Sequence, residues 1–217
     1  MTAIKFCGIT TKESLQAASK LEAAYVGFMM WPRSPRALNI ERARTLSLAQ
    51  PGNIRVVGVF VNPTDEELKT TLTEVPLDIV QLHGDEDPKR VADIRTQCGL
   101  PVMKAIRVAT REDLFGVAGF EQVADWLLFD TKTDPALSGL PGGTGQSFDW
   151  QILKSRDFRK PWMLSGGLNA ENVARALSLL QPDAVDVSSG IEDSPGIKNI
   201  DKMKKFAAAV RAAPSII

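Results

Sequence analysis

The feature that most restricts how this chain can fold is an alternation repeated eight times along its 217 residues: a short run of β-branched and apolar residues, a turn, then a stretch with helical periodicity. A run of that length suits a strand buried on both faces, and an intervening helix lets the next strand lie parallel to it. The predicted strands are 3–7 (AIKFC), 25–29 (YVGFM), 55–61 (RVVGVFV), 78–82 (DIVQL), 101–106 (PVMKAI), 126–130 (WLLFD), 161–165 (PWMLS) and 184–188 (AVDVS). Helices are predicted over 12–21, 40–49, 64–73, 87–97, a short piece near 111–118, another near 149–154, then 169–180 and 198–212. Thr64 with Glu67 reads as a capping box at the start of the third helix. No linker or shift in composition divides the chain, and 44% hydrophobic residues suffice for a core, so residues 1–217 are expected to form one domain. The architecture that fits is a single closed (β/α)8 barrel of the TIM type, an α/β fold with a parallel eight-stranded core. An open doubly wound sheet is the rival, but it would need a nucleotide-type glycine loop after the first strand, where CGITTKES holds one glycine.

Lysine plus arginine (26) balances aspartate plus glutamate (26), so no net field draws the chain to nucleic acid or to an anionic membrane. Any anionic ligand has to be held by a local arrangement. The N-terminus shows no basic region followed by an apolar run, and no stretch of 18 apolar residues occurs, which points to a cytoplasmic protein. Cys7 and Cys98 are the only cysteines; they could pair, but without a secretory leader the reduced state is expected, leaving Cys7 free as a thiol.

In a barrel of this kind the active site lies at the C-terminal ends of the strands. The candidates there are Cys7, the MWPRSPR loop, VNPTD, His83, Arg107, Asp130, and the SGG and SSG turns. Residues two apart on a strand share a face, so Cys7 lies with Lys5, Asp130 with Leu128, and Ser188 with Asp186. SGGLN (165–169) and SSGIEDSPG (188–196) offer small residues and free backbone N–H groups at Gly166, Gly167, Ser189 and Gly190. Each alone reads equally as a tight turn needing glycine for positive φ; together, after strands seven and eight, they point to a phosphate site.

Asp130 ends an apolar strand, where a partly desolvated carboxyl group has the chemistry of a general acid, or else tethers the TKTD segment. The long loop 131–147 that follows is a candidate lid. Arg36, in a proline-stiffened loop, suits a planar carboxylate, although its neighbour Arg33 could serve equally; Trp31 is either an aromatic wall or a cover for the barrel rim. His83, the only histidine, is either a substrate contact or a satisfied polar group. Lys5 and Asp186 are expected to point into the barrel and form a buried polar network beneath the site. No HExxH, CxxC or histidine cluster occurs, so no metal is expected and proton transfer is the default chemistry.

The segments KFCGIT, GFMMWPRSPR, VGVFVN, VQLHGDE, LLFDTK, GGTGQSFDW, LSGGLNAENV and VDVSSGIE, in that order and over nearly the whole chain, resemble the phosphoribosylanthranilate isomerase family of tryptophan biosynthesis. The resemblance implies an Amadori rearrangement of N-(5-phosphoribosyl)anthranilate, with neither metal nor organic cofactor, in an enzyme that is a monomer or a homodimer. It implies that Cys7 is the general base and Asp130 the general acid, that Arg36 holds the anthranilate carboxylate, and that Gly166, Gly167 and Gly190 bind phosphate through their backbone. His83, Asp186 and Ser189 are the further expected ligand contacts. The departures from the commoner family motifs, Phe6 and Phe129, point away from the catalytic pair by strand alternation. A free thiol has a pKa of about 8.5, so the surroundings of Cys7 are expected to lower it, with Lys5 supplying the positive charge.

Three other readings stay distinct. The indole-releasing α subunit of tryptophan synthase would use paired carboxylates, and a sugar isomerase of histidine biosynthesis would carry aspartate in place of Cys7 and clearer half-barrel repetition. A non-catalytic phosphosugar-binding barrel would keep the phosphate site without turnover.

Overall fold

The structure, a computed structural model, describes residues 2–132, 147–154 and 156–214. Eight parallel strands follow one another round a closed barrel: β1 (Ala3–Cys7), β2 (Tyr25–Met29), β3 (Arg55–Phe60), β4 (Ile79–Leu82), β5 (Val102–Val108), β6 (Trp126–Thr131), β7 (Trp162–Leu164) and β8 (Ala184–Val187). The seam closes where β1 pairs with β8, in a register that sets Lys5 beside Asp186. Around the barrel run α1 (Lys12–Lys20), α2 (Ile40–Leu48), α3 (Asp65–Glu74), α4 (Pro88–Cys98), α5 (Val117–Val123), α6 (Gln151–Lys154), α7 (Val173–Leu179) and α8 (Ile200–Ala212). Thr11, Asn39, Thr64, Asp87 and Asn199 each accept a hydrogen bond from the first turn of the helix that follows. The Thr64–Glu67 capping box forms in both directions.

Strand alternation divides the core into two layers. Ile4, Phe6, Leu127 and Phe129 face outward and pack under the helices, Phe6 meeting Phe206 of α8 edge to face. Tyr25, Val57, Val59, Ile79, Met103, Leu128 and Met163 face inward and fill the barrel. Within this apolar filling lie two charged groups, Lys5 and Asp186, joined Nζ to Oδ1 at 2.8 Å.

The structure departs from the sequence-based boundaries at three places with physical causes. The helix near 111–118 is two pieces, a 3-10 turn Arg111–Leu114 and α5; Asp113 turns back to accept from the Ala109 and Thr110 N–H groups, and Gly116 stands at the break. The helix predicted from 169 starts at Val173, because the side chains of Asn169 and Asn172 bond the main chain of that turn. An unanticipated antiparallel pair, β9 (Glu192–Ser194) and β10 (Ile197–Lys198), occupies the segment after β8 and delays α8 to Ile200. The candidate lid falls largely on 133–146, outside the described residues. Among the described residues no helix is long and apolar enough to cross a membrane.

Removing one partner of a buried ion pair strands the other, so Lys5→Met is expected to lower stability by about 3–5 kcal/mol. Urea denaturation followed by circular dichroism measures it; an unchanged midpoint would show that the barrel seam does not depend on the pair.

Candidate active site

The C-terminal mouth of the barrel holds a cavity lined by Cys7, Met29, Trp31, Ser34, Arg36, Val61, His83, Asp130, the 165–168 segment and the 186–189 segment. Every strand-end residue assigned a catalytic or binding role from the sequence reaches this wall except Gly190. Of the two arginines in the loop after β2, Arg36 is buried and lines the cavity, whereas Arg33 is exposed. Trp31 and Met29 form an apolar flank on the same side.

Cys7 ends β1, paired with Gly27 of β2. A Cβ at Gly27 would lie 2.7 Å from the Cys7 sulfur and 3.2 Å from Lys5 Nζ, so the missing side chain is what makes room for thiol and ammonium together. Burial pushes the Cys7 thiol up from its ordinary value, and the positive charges of Lys5 and Lys198 oppose that without overcoming it. The expected lowering is therefore reversed in the substrate-free site: desolvation outweighs the nearby cation. Lys5 itself would be pushed down by burial, but Asp186 and the thiol hold it above its ordinary value. Asp186 spends its other oxygen on Ser165, which donates from Oγ at 3.1 Å, so the buried network spans β1, β8 and the end of β7.

Asp130 is buried at the end of β6, with both oxygens engaged. Oδ1 accepts from the Thr131 N–H at 2.8 Å, and Oδ2 lies 3.0 Å from His83 Nε2. The other ring nitrogen, Nδ1, lies 3.0 Å from the side-chain amide nitrogen of Gln81, two residues back on the inward face of β4. His83 is thus first of all a partner of Asp130.

The two small-residue loops, after β7 and β8, meet between the ends of β6 and β1. Gly166 has φ +90°, and a Cβ there would strike Thr131 Oγ1 and approach Asp130 Oδ1 to 3.1 Å. Asn172 donates from Nδ2 to the Gly167 carbonyl at 2.9 Å and so pins the first loop from below. Gly190 lies where the loops touch, since a Cβ on it would overlap the Leu168 carbonyl. Ser189, just before it, lines the cavity.

Arg36 is held by a residue the sequence did not single out. Its Nε and Nη2 donate to the two carboxylate oxygens of Glu192 on β9, at 2.8 and 2.7 Å. Lys198 on β10 donates to the same carboxylate at 2.7 Å and to the Ser188 carbonyl at 3.1 Å. Burial would raise the Glu192 carboxyl, but the bonds from Arg36 and Lys198 bring it below its ordinary value; burial lowers Lys198. One carboxylate faces two cations, so this corner carries a net positive charge although the chain as a whole carries none.

Gln81, Gly27, Glu192 and Lys198 were missed from sequence. Two signals were present: a glycine inside the strand YVGFM, which marks close approach, and the turn-forming SPG within GIEDSPGIK. Nothing local marked Gln81, whose importance arises from its position beneath His83.

Residues 4–209 match the family model for N-(5'-phosphoribosyl)anthranilate (PRA) isomerase. The N-(5'-phosphoribosyl)anthranilate isomerase of Paracoccus denitrificans is 46% identical over 209 residues, 96% of this chain and 97% of that one. The enzyme of the same name from Paramagnetospirillum magneticum is 48% identical over 208 residues, 96% of each chain. Among solved structures, phosphoribosyl anthranilate isomerase from Thermotoga maritima superposes with a TM-score of 0.88 at 36% identity, covering 97% of this chain and 99% of that one. A phosphoribosyl anthranilate isomerase in complex with reduced 1-(o-carboxyphenylamino)-1-deoxyribulose 5-phosphate superposes with a TM-score of 0.84 at 35% identity, again over 97% and 99% of the two chains. The chain, matched over nearly its whole length, belongs to the N-(5'-phosphoribosyl)anthranilate isomerase family.

Proposed function

We infer that this chain isomerises N-(5-phosphoribosyl)anthranilate to 1-(2-carboxyphenylamino)-1-deoxyribulose 5-phosphate, the Amadori step of tryptophan biosynthesis. The observation that carries the reading is that Cys7 and Asp130, from β1 and β6, line one cavity between two glycine-rich loops and a positively charged corner. Asp130 protonates the furanose ring oxygen, which opens the ring as the anthranilate nitrogen forms a Schiff base. Cys7 as thiolate then removes the proton from C2′, and the enolamine tautomerises to the ketone. Each step needs a proton donor or acceptor and nothing else.

Arg36 receives the anthranilate carboxylate. Glu192 occupies the Nε and Nη2 side of the guanidinium, which leaves the Nη1–Nη2 edge as a second planar fork for an incoming carboxylate. Trp31 and Met29 flank the aromatic ring. The phosphate rests on the backbone at Gly166, Gly167, Ser189 and Gly190, and Asp186, which also lines the cavity, keeps the Lys5 ammonium in place beneath Cys7. All of these residues belong to one chain, so either a monomer or a homodimer carries a complete site. A cytoplasmic setting suits the same reading, because Cys7 acts only when reduced and both cysteines are free thiols.

Fluorescence of freshly generated phosphoribosylanthranilate is expected to decay rapidly with the wild type. Cys7→Ala and Asp130→Asn are each expected to slow turnover by about 10²–10⁴-fold, roughly 3–5 kcal/mol of transition-state stabilisation, with binding less affected. Binding without decay in the wild type would leave a phosphosugar-binding barrel instead. Near-normal turnover in both variants would remove the assigned roles.

The raised thiol fixes the sign of the pH dependence. Cys7 is protonated at neutral pH in the free enzyme, so its thiolate fraction is expected to climb with pH through and beyond the ordinary thiol range. Iodoacetamide labelling of Cys7 in a Cys98→Ser background is expected to show the same rise, and Lys5→Met to push it higher still while the protein remains folded. A midpoint unmoved by Lys5→Met would show that the ammonium does not act on the thiol.

A further inference from the structure

Gln81 lies wholly buried on β4, in register with Val59 of β3 and Met103 of β5, which belong to the apolar filling of the barrel. Among the described residues its Oε1 has no hydrogen-bond partner. A buried amide oxygen left unpaired is destabilising, and methionine, of nearly the same shape, would fill the space without that cost. Packing therefore does not explain an amide at this position. Its one polar contact does: the amide nitrogen meets His83 Nδ1 at 3.0 Å.

An amide nitrogen has only hydrogens to offer, so the ring nitrogen facing it must accept. The proton of a neutral imidazole then sits on Nε2, which points at Asp130 Oδ2 from 3.0 Å. The opposite orientation of the amide would favour a proton on Nδ1, leaving either a bare Nε2 lone pair facing the carboxylate or a fully charged ring.

We propose that Gln81 is a positioning residue that holds His83 as the neutral Nε2–H tautomer, so that His83 steadies the carboxylate of Asp130 once its proton has gone to substrate. The inference rests on the reading of Asp130 as the general acid. In that step the ring C1′–O bond breaks with its electron pair moving to oxygen, the oxygen takes the proton of Asp130, and the nitrogen lone pair forms the C=N bond. Asp130 is left anionic, and the Nε2–H donates a hydrogen bond to it without transferring the proton. Stabilising the charge that develops on this carboxylate lowers the barrier to the proton's transfer.

Because His83 is the only histidine, labelling with nitrogen-15 histidine yields one imidazole pattern. Two-bond nitrogen–proton correlation spectra of the substrate-free wild type at neutral pH are expected to show Nε2 protonated and Nδ1 bare. A proton on Nδ1, or on both nitrogens, would overturn the proposal before any variant is made. Gln81→Met removes the donor at constant shape, and Gln81→Glu replaces it with an acceptor. The glutamate variant is expected to bring a proton onto Nδ1. In both, kcat is expected to fall roughly 10- to 100-fold with KM little changed. An unaltered His83 pattern in Gln81→Glu, or unaltered kcat in both variants, would contradict it. The spectra need no substrate, so a wrong tautomer is told apart from a wrong reaction, which would show as a wild type inactive on phosphoribosylanthranilate whatever its spectrum.

Discussion

The barrel is closed across a charge. Lys5 and Asp186 face each other at the β1–β8 seam, 2.8 Å apart and almost wholly out of water. At an effective dielectric of about 20 their attraction at that distance is about 6 kcal/mol. Taking each ion out of water costs several kcal/mol, so the pair contributes little net stability. Its consequence is positional. The ammonium is fixed beneath the Cys7 thiol, the carboxylate is tied to Ser165 at the first glycine loop, and the strands that carry Cys7 and that loop are coupled through one network.

At the mouth Cys7 ends β1 with Lys5 beneath it, and Asp130 lies at the end of β6 beside His83, under which lies Gln81. Next to Cys7, the hairpin after β8 reaches over to Arg36 and delivers Glu192 and Lys198 together. A guanidinium held along one edge by a carboxylate is rigid, and the second cation keeps the corner positive. A chain with no net charge thereby gathers two cations at one corner of its barrel mouth.

Much of this is legible in the sequence. Eight strands followed from apolar runs separated by helical stretches, and strand alternation correctly sorted Phe6 and Phe129 outward and Lys5 and Asp186 inward, because a period of two leaves no choice of face. What escaped depends on relations between strands. That Gln81 lies under His83, or that Gly27 gives space to Cys7, is fixed by cross-strand register and packing, which a linear pattern does not contain. The Cys7 thiol is raised where the sequence implies lowering, for a related reason: a neighbouring lysine is visible in sequence, but the depth of burial that outweighs it is not. Helix 169–180 was overextended because asparagine side chains competed with the helical hydrogen bonds of its first turn.

The most direct test of the chemistry assigned to this mouth is single-turnover decay of phosphoribosylanthranilate carrying deuterium at C2′, compared with the unlabelled compound. Removal of that proton by Cys7 requires the deuterated substrate to decay more slowly, with the label lost from the product. Equal decay, with deuterium retained in the product, would contradict proton abstraction at C2′ and with it the reading of Cys7 as the base.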